Sequence, residues 1–177
     1  MTPDPTTATA PHDVINQLPA PTAREALESC CGSRRWVAEM MARRPFASTE
    51  GLLAAAAEVW QGLDPSDFLE AFTHHPRIGE RADADAGAGT DTGRAWSLEE
   101  QARAAAAPHD AATLHALNQE YAARFGYIFI ICATGKSASQ ILAALRARLP
   151  NSPEAELPIA AAEQAHITRL RLEKLAR

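Results

Sequence analysis

The chain has 177 residues, 46% of them hydrophobic, and a formal net charge of −5. That length predicts one compact domain with a substantial core, and the acidic balance excludes a nucleic-acid partner, whose phosphates would require a basic face. No apolar run reaches the length of a membrane span, no charged-then-apolar signal segment opens the chain, and three cysteines make no disulfide framework, so a soluble cytoplasmic protein is expected.

Residues 1–12 are rich in Pro, Thr and Ala and predict a disordered leader, with 13–177 as the folded domain. Thr22 and Glu25 have capping-box spacing ahead of Ala26-Leu27. Gly32-Ser33 separates that helix from a second over Arg34 to Arg43, which carries Trp36, Val37, Met40 and Met41 and stops at Pro45. Ser48 caps a third helix through Leu52, Leu53, Ala56 and Trp60 to Gly62. Asp64-Pro65 opens a fourth, with proline at the first helical position, where a missing N–H costs nothing. Residues 81–94 read as a mobile loop, and Ser97 with Glu100 marks the next helix start. A helix over 111–125 ends at Gly126. Tyr127 to Ala133 then breaks the pattern: it is apolar and β-rich, yet no comparable second strand exists to pair with it. Its backbone groups need partners, some of which a ligand can supply. Helices over 138–149 and roughly 159–176, the latter starting near Pro158, complete the chain. The expected fold is all-α, a single multi-helix domain with one extended apolar segment.

Three places carry chemistry. In His75-Pro76-Arg77-Ile78-Gly79, proline restricts the preceding histidine to extended or turn geometry at a helix exit. That suits an imidazole facing a pocket, and equally a solvent-facing loop histidine beside a turn. Ser97-Leu98-Glu99-Glu100-Gln101 reads as a capping box, and also as a carboxylate and amide at a helix N-terminus that favours anions. Arg171 falls in the apolar arc of its helix, between Ile167 and Leu175 and near Leu170, while Arg169 points away. A buried guanidinium needs an anionic partner. An internal carboxylate such as Glu100, an outward-snorkelling stem or a bound carboxylate or urea-like group would each serve.

Other signals are weaker. Gly135-Lys136-Ser137 lacks the earlier glycine of a phosphate loop, since position 130 is Ile130. His74 and His75 with Asp83 and Asp85 match no established metal spacing. Cys30 and Cys31, adjacent in a helix turn, read as packing residues rather than a redox pair.

In order along the chain stand Leu27-Glu28-Ser29-Cys30-Cys31-Gly32-Ser33, Arg35-Trp36-Val37, Arg44-Pro45-Phe46, Ala71 to Gly79, Ser97-x-x-Glu100-Gln101, Phe125 to Ala133, and Ile167-Thr168-Arg169-Leu170-Arg171-Leu172. This ordered set, over roughly residues 14–176, resembles the 2-oxo-4-hydroxy-4-carboxy-5-ureidoimidazoline (OHCU) decarboxylases of the urate-to-allantoin route of purine catabolism. The resemblance implies an all-helical homodimer that forms (S)-allantoin without metal or organic cofactor. It also implies that His75 is catalytic, assisted by Glu100. Substrate would be held by Pro76, Ser97, Gln101, Arg171 and the extended Phe129, Ile130, Ile131, Cys132 and Ala133. Two other classes remain: a metal-assisted hydrolase using the His74/His75 region, and a non-catalytic helical binding module.

Overall fold

The computed structural model describes residues 9–77, 90–102 and 108–176. Among them are nine helices: α1 (Pro11–Gln17), α2 (Ala20–Cys30), α3 (Arg34–Ala42), α4 (Thr49–Gln61), α5 (Pro65–Phe72), α6 (Asp91–Ala102), α7 (Pro108–Phe125), α8 (Ala138–Arg148) and α9 (Pro153–Lys174). No strand occurs among the described residues, and the protein is all-α as expected.

Local chemistry explains most of the helix ends. The Ser33 hydroxyl accepts from Trp36 N–H and starts α3, and Ser48 does the same for Gly51 in α4. At α5 the Asp67 carboxylate reaches back to the Asp64 N–H at 3.0 Å, with Pro65 in the first turn. Ser137 and Gln140 form a reciprocal capping box on α8. Gly126 takes φ = 80°, the left-handed conformation that lets the chain leave α7 without a Cβ clash.

Five expected boundaries move. Pro11 and His12 belong to α1, not to a leader, and His12 Nδ1 lies 3.1 Å from Thr49 Oγ1; residues 1–8 are outside the described residues. Helix α2 begins at Ala20, before Thr22, because Pro21 fits its first turn and Pro19 precedes it. Helix α6 begins at Asp91, so the final residues of the expected 81–94 loop are helical and Ser97 lies inside the helix. Residues 81–89 lie outside the described residues. Helix α7 starts at Pro108, again a proline in the first turn. Helix α9 starts at Pro153, where Ser152 accepts from Ala155 N–H, so Pro158 is inside it. That early proline removes a single ladder bond close to the N-terminus, where the Ser152 cap and the buried residues of the following turns outweigh it.

The core divides into clusters, two of which meet at the extended segment. Trp36, Met40, Leu27, Leu52, Trp60 and Leu172 form one cluster, joining α2, α3, α4 and α9. Both indoles are anchored by carbonyls, Trp36 Nε1 donating to Ala56 O at 3.1 Å and Trp60 Nε1 to Ala161 O at 3.0 Å. From the extended run, Phe129, Ile131 and Ala133 pack with Leu114, Tyr121, Ile141 and Leu145 of α7 and α8. Ile130 and Cys132 point the other way, onto Phe72, Ala160 and Ile167 of α5 and α9. This is strand periodicity without a sheet: successive side chains serve opposite cores.

Side chains rather than a second strand satisfy this segment. Arg148 Nη1 donates to Ile130 O at 2.9 Å, Cys132 N–H donates to Glu163 Oε2 at 2.7 Å, and Lys136 Nζ donates to Cys132 O at 2.8 Å. At Ile130 O and at both backbone groups of Cys132, the partners that the segment requires come from the protein's own side chains. Arg148 is itself fixed by the fully buried Glu156, which it meets at 2.6 Å. Tyr121 Oη and Asn151 Nδ2 also donate to that carboxylate, at 2.6 and 2.7 Å.

Candidate active site

Helix α9 presents three buried polar side chains in one line: Gln164, Thr168 and Arg171. Their spacing of four and then three residues puts them on a single helix face. Each reaches a different part of the chain.

Arg171 is 3% exposed and bridges α2 and α6. Its Nη1 donates to Ser29 O at 3.2 Å and its Nη2 to Ser97 Oγ at 2.7 Å. Ser29 sits in the last turn of α2, whose unpaired carbonyls carry partial negative charge, so the cation is favoured there. Ser97 is not an N-cap; its hydroxyl donates to Gly93 O at 3.0 Å, four residues back, and accepts from Arg171. The reading of Ser97 as part of a helix-end anion site is thereby corrected. Close approach of α6 to α2 depends on Gly93, where an added Cβ would lie 3.3 Å from Ser29 O and 3.1 Å from Thr90 Oγ1.

His75 follows the end of α5 through a short turn in which His74 N–H donates to Ala71 O and His75 N–H to Phe72 O, both at 3.2 Å. The ring is half-buried, and Nε2 lies 2.7 Å from Gln164 Oε1. Its pKa is pulled down to about 3, mainly by burial and then by the Arg171 charge; the Gln164 bond opposes this and His74 adds to it. At neutral pH the imidazole is uncharged. Pro76, half-buried, holds the exit of the turn; Ile78 and Gly79 lie outside the described residues.

The two adjacent histidines diverge. His74 packs on Gly32, where an added Cβ would come within 2.2 Å of its Cγ, and its buried Nδ1 has no hydrogen-bond partner. Burial lowers its pKa, against the pull of Glu70 and Glu28. Asp83 and Asp85, the other half of the metal alternative, lie outside the described residues. Cys31 is pushed up to about 12, mainly by burial, and stays a thiol. Cys30, Cys31 and Cys132 are all buried and none is in a disulfide among the described residues, in keeping with packing roles.

The structure thus brings His75, Ser97 and Arg171 to one junction of α2, α5, α6 and α9. Ile130 and Cys132 reach its edge through Phe72 and Ile167, whereas the side chains of Phe129, Ile131 and Ala133 turn into the α7–α8 core. Glu100 and Gln101 fall on the last turn of α6, and their side chains lie outside the described residues. Gln164 and Thr168 were missed from sequence. Their signal was available: they stand seven and three residues before Arg171 on the same helical face. Arg148, Glu156 and Glu163, which hold the extended segment, gave no comparable pattern.

Fold and site together define an all-α protein that sets a neutral histidine beside a buried arginine, equipment suited to proton transfer on an anionic small molecule. The OHCU decarboxylase family model matches residues 16–173. The chain belongs to that family. It is 38% identical over 148 residues to the uric acid degradation bifunctional protein TTL of Arabidopsis thaliana, covering 82% of this chain and 45% of that protein. It therefore spans about half the length of that relative. It is also 34% identical over 144 residues to the 2-oxo-4-hydroxy-4-carboxy-5-ureidoimidazoline decarboxylase of Halalkalicoccus jeotgali, covering 79% of this chain and 77% of that one. A crystal structure of OHCU decarboxylase in the presence of (S)-allantoin superposes with a TM-score of 0.72 at 32% identity, over 85% of this chain and 96% of that chain.

Proposed function

We propose that this chain decarboxylates OHCU to (S)-allantoin in urate degradation, using its own side chains and no metal or organic cofactor. The observation that carries the proposal is the neutral His75 beside the buried Arg171, in a chain of this family.

In OHCU a quaternary carbon bears a hydroxyl and a carboxylate next to a C=N carbon carrying the ureido group. When the carbon–carboxylate bond breaks, CO2 departs and the electron pair forms a carbon–carbon double bond while the imine nitrogen takes up a proton from water. The resulting enol then gives its hydroxyl proton to a base, and the ureido-bearing carbon gains one. A neutral imidazole can do both, as base first and acid second. Delivery from one face gives one enantiomer. Arg171 is better placed on the ring or ureido oxygens than on the carboxylate, because a cation there would stabilise the ground state over departing CO2. Glu100 assists His75, and Ser97, Gln101, Pro76 and the remaining backbone groups of 129–133 orient the ring. Ser97 contributes by holding Arg171. A homodimer in the cytoplasm belongs to the same reading; no helix among the described residues is long and apolar enough to cross a membrane.

The test is circular dichroism of allantoin formed from freshly generated OHCU with chelator present. Rapid formation of optically active (S) product is the expected result. Racemic product at the uncatalysed rate would return the chain to the class of binding modules, and loss of activity with chelator would favour a metal-assisted reaction.

A further inference from the structure

An amide has one end that only accepts and one that only donates, so a buried glutamine fixed at its donor end imposes a proton position on whatever meets its oxygen. Gln164 is fully buried, which removes water as a competitor for either end. Its Nε2 donates to Thr168 Oγ1 at 3.2 Å, one turn further along α9. The other end of the amide, Oε1, faces His75 Nε2 at 2.7 Å, where it can only accept. The charged or titratable groups felt at His75 are Arg171 from α9 and His74 beside it, and both oppose a positive ring. With the ring uncharged, the question left open is which nitrogen carries its single hydrogen.

We propose that Gln164 is a positioning residue for His75: with its Nε2 on Thr168, its amide oxygen holds the imidazole as the Nε2–H tautomer and leaves Nδ1 as the ring's one basic nitrogen. The kinetic consequence rests on the proposed decarboxylation; the tautomer does not. Without Gln164 the ring divides between two tautomers and turns more freely. A proton transfer that needs one basic nitrogen in one place then slows, while the Arg171 contribution to substrate binding persists.

The experiment is NMR of histidine-labelled protein, with the His75 signals assigned by their loss in His75→Asn, together with steady-state kinetics. Wild type is expected to show the Nε2–H pattern. Gln164→Met keeps length without a polar end; it should show mixed tautomers, and kcat about 10- to 100-fold lower with KM within about threefold. Gln164→Glu restores an acceptor facing Nε2; it should recover the tautomer and most of kcat, and its carboxylate should move the acid limb of the kcat/KM profile to higher pH. An Nδ1–H pattern in wild type, or an unchanged tautomer in Gln164→Met, overturns the proposal. If Gln164→Met does not fold, Gln164→Glu decides: no movement of the acid limb overturns the proposal. Absence of OHCU turnover in wild type would remove the proposed function, and the NMR result would still decide the role of Gln164.

Discussion

Arg171 Nη2 donates to Ser97 Oγ at 2.7 Å, and this bond joins α9 to the middle of α6. The same guanidinium holds Ser29 O at the end of α2, so one planar group sets the spacing of three helices. Lysine could not replace it, since a single ammonium lacks the rigid fork that reaches both acceptors. Arg171→Lys should fold with reduced stability and lose most activity. Ser97→Ala should lower kcat/KM about tenfold, equivalent to about 1.4 kcal/mol, chiefly through KM. A Ser97→Ala enzyme with unchanged KM would show that the bond does not position the arginine.

His75 also makes a prediction about stability. Its folded pKa, about 3, lies below its ordinary value of 6.5, so the unfolded chain binds the proton first as pH falls. The folded state keeps its full advantage above about pH 6.5 and loses it progressively as pH drops toward 3. The loss should be on the order of 1–3 kcal/mol by pH 4. His74, also lowered by burial, adds in the same direction. Urea unfolding at pH 7, 5 and 4 should show His75→Asn with a shallower decline than wild type, along with loss of most OHCU turnover. Parallel declines would contradict the depressed pKa.

Gly32 and His74 should be energetically coupled. A methyl at Gly32 would overlap the His74 ring, whose displacement moves the turn that carries His75 and Pro76. Gly32→Ala should destabilise by about 1–3 kcal/mol through overpacking and reduce turnover. Adding His74→Ala removes the obstacle and should restore part of both. Strict additivity in this double-mutant cycle would show that the two residues do not meet.

The Arg148–Glu156 pair predicts an asymmetry. Glu156→Gln leaves a buried guanidinium without its counter-charge and should cost about 3–5 kcal/mol. Replacing both by Met should cost less than replacing Glu156 alone, because no buried charge is then stranded. Urea unfolding measures both.

The order of α2 to α9, the Ser48 cap, the Asp64-Pro65 start and the Gly126 exit were legible because each rests on chemistry local to a few residues. Pro158 and Ser97 misled for the same reason. Proline is judged a breaker and serine a cap by local rule, but a stronger start lay upstream of each, at Ser152-Pro153 and Asp91. His75 and Arg171 stood out through a restricted backbone and a charge on an apolar face. Gln164 did not, since a neutral polar residue on a helix is ordinary until its partner 89 residues away is known.

The extended run from Phe129 to Ala133 has no ladder, yet it is closed to water on both faces. Ordinary loops exchange their amide hydrogens quickly, because water reaches them without any unfolding. Here the Cys132 amide hydrogen is held by Glu163 between two cores. Its release requires those cores to separate, so in heavy water it should persist as long as the amides of the central helices. A segment irregular in shape would then act as one of the last parts of the molecule to open.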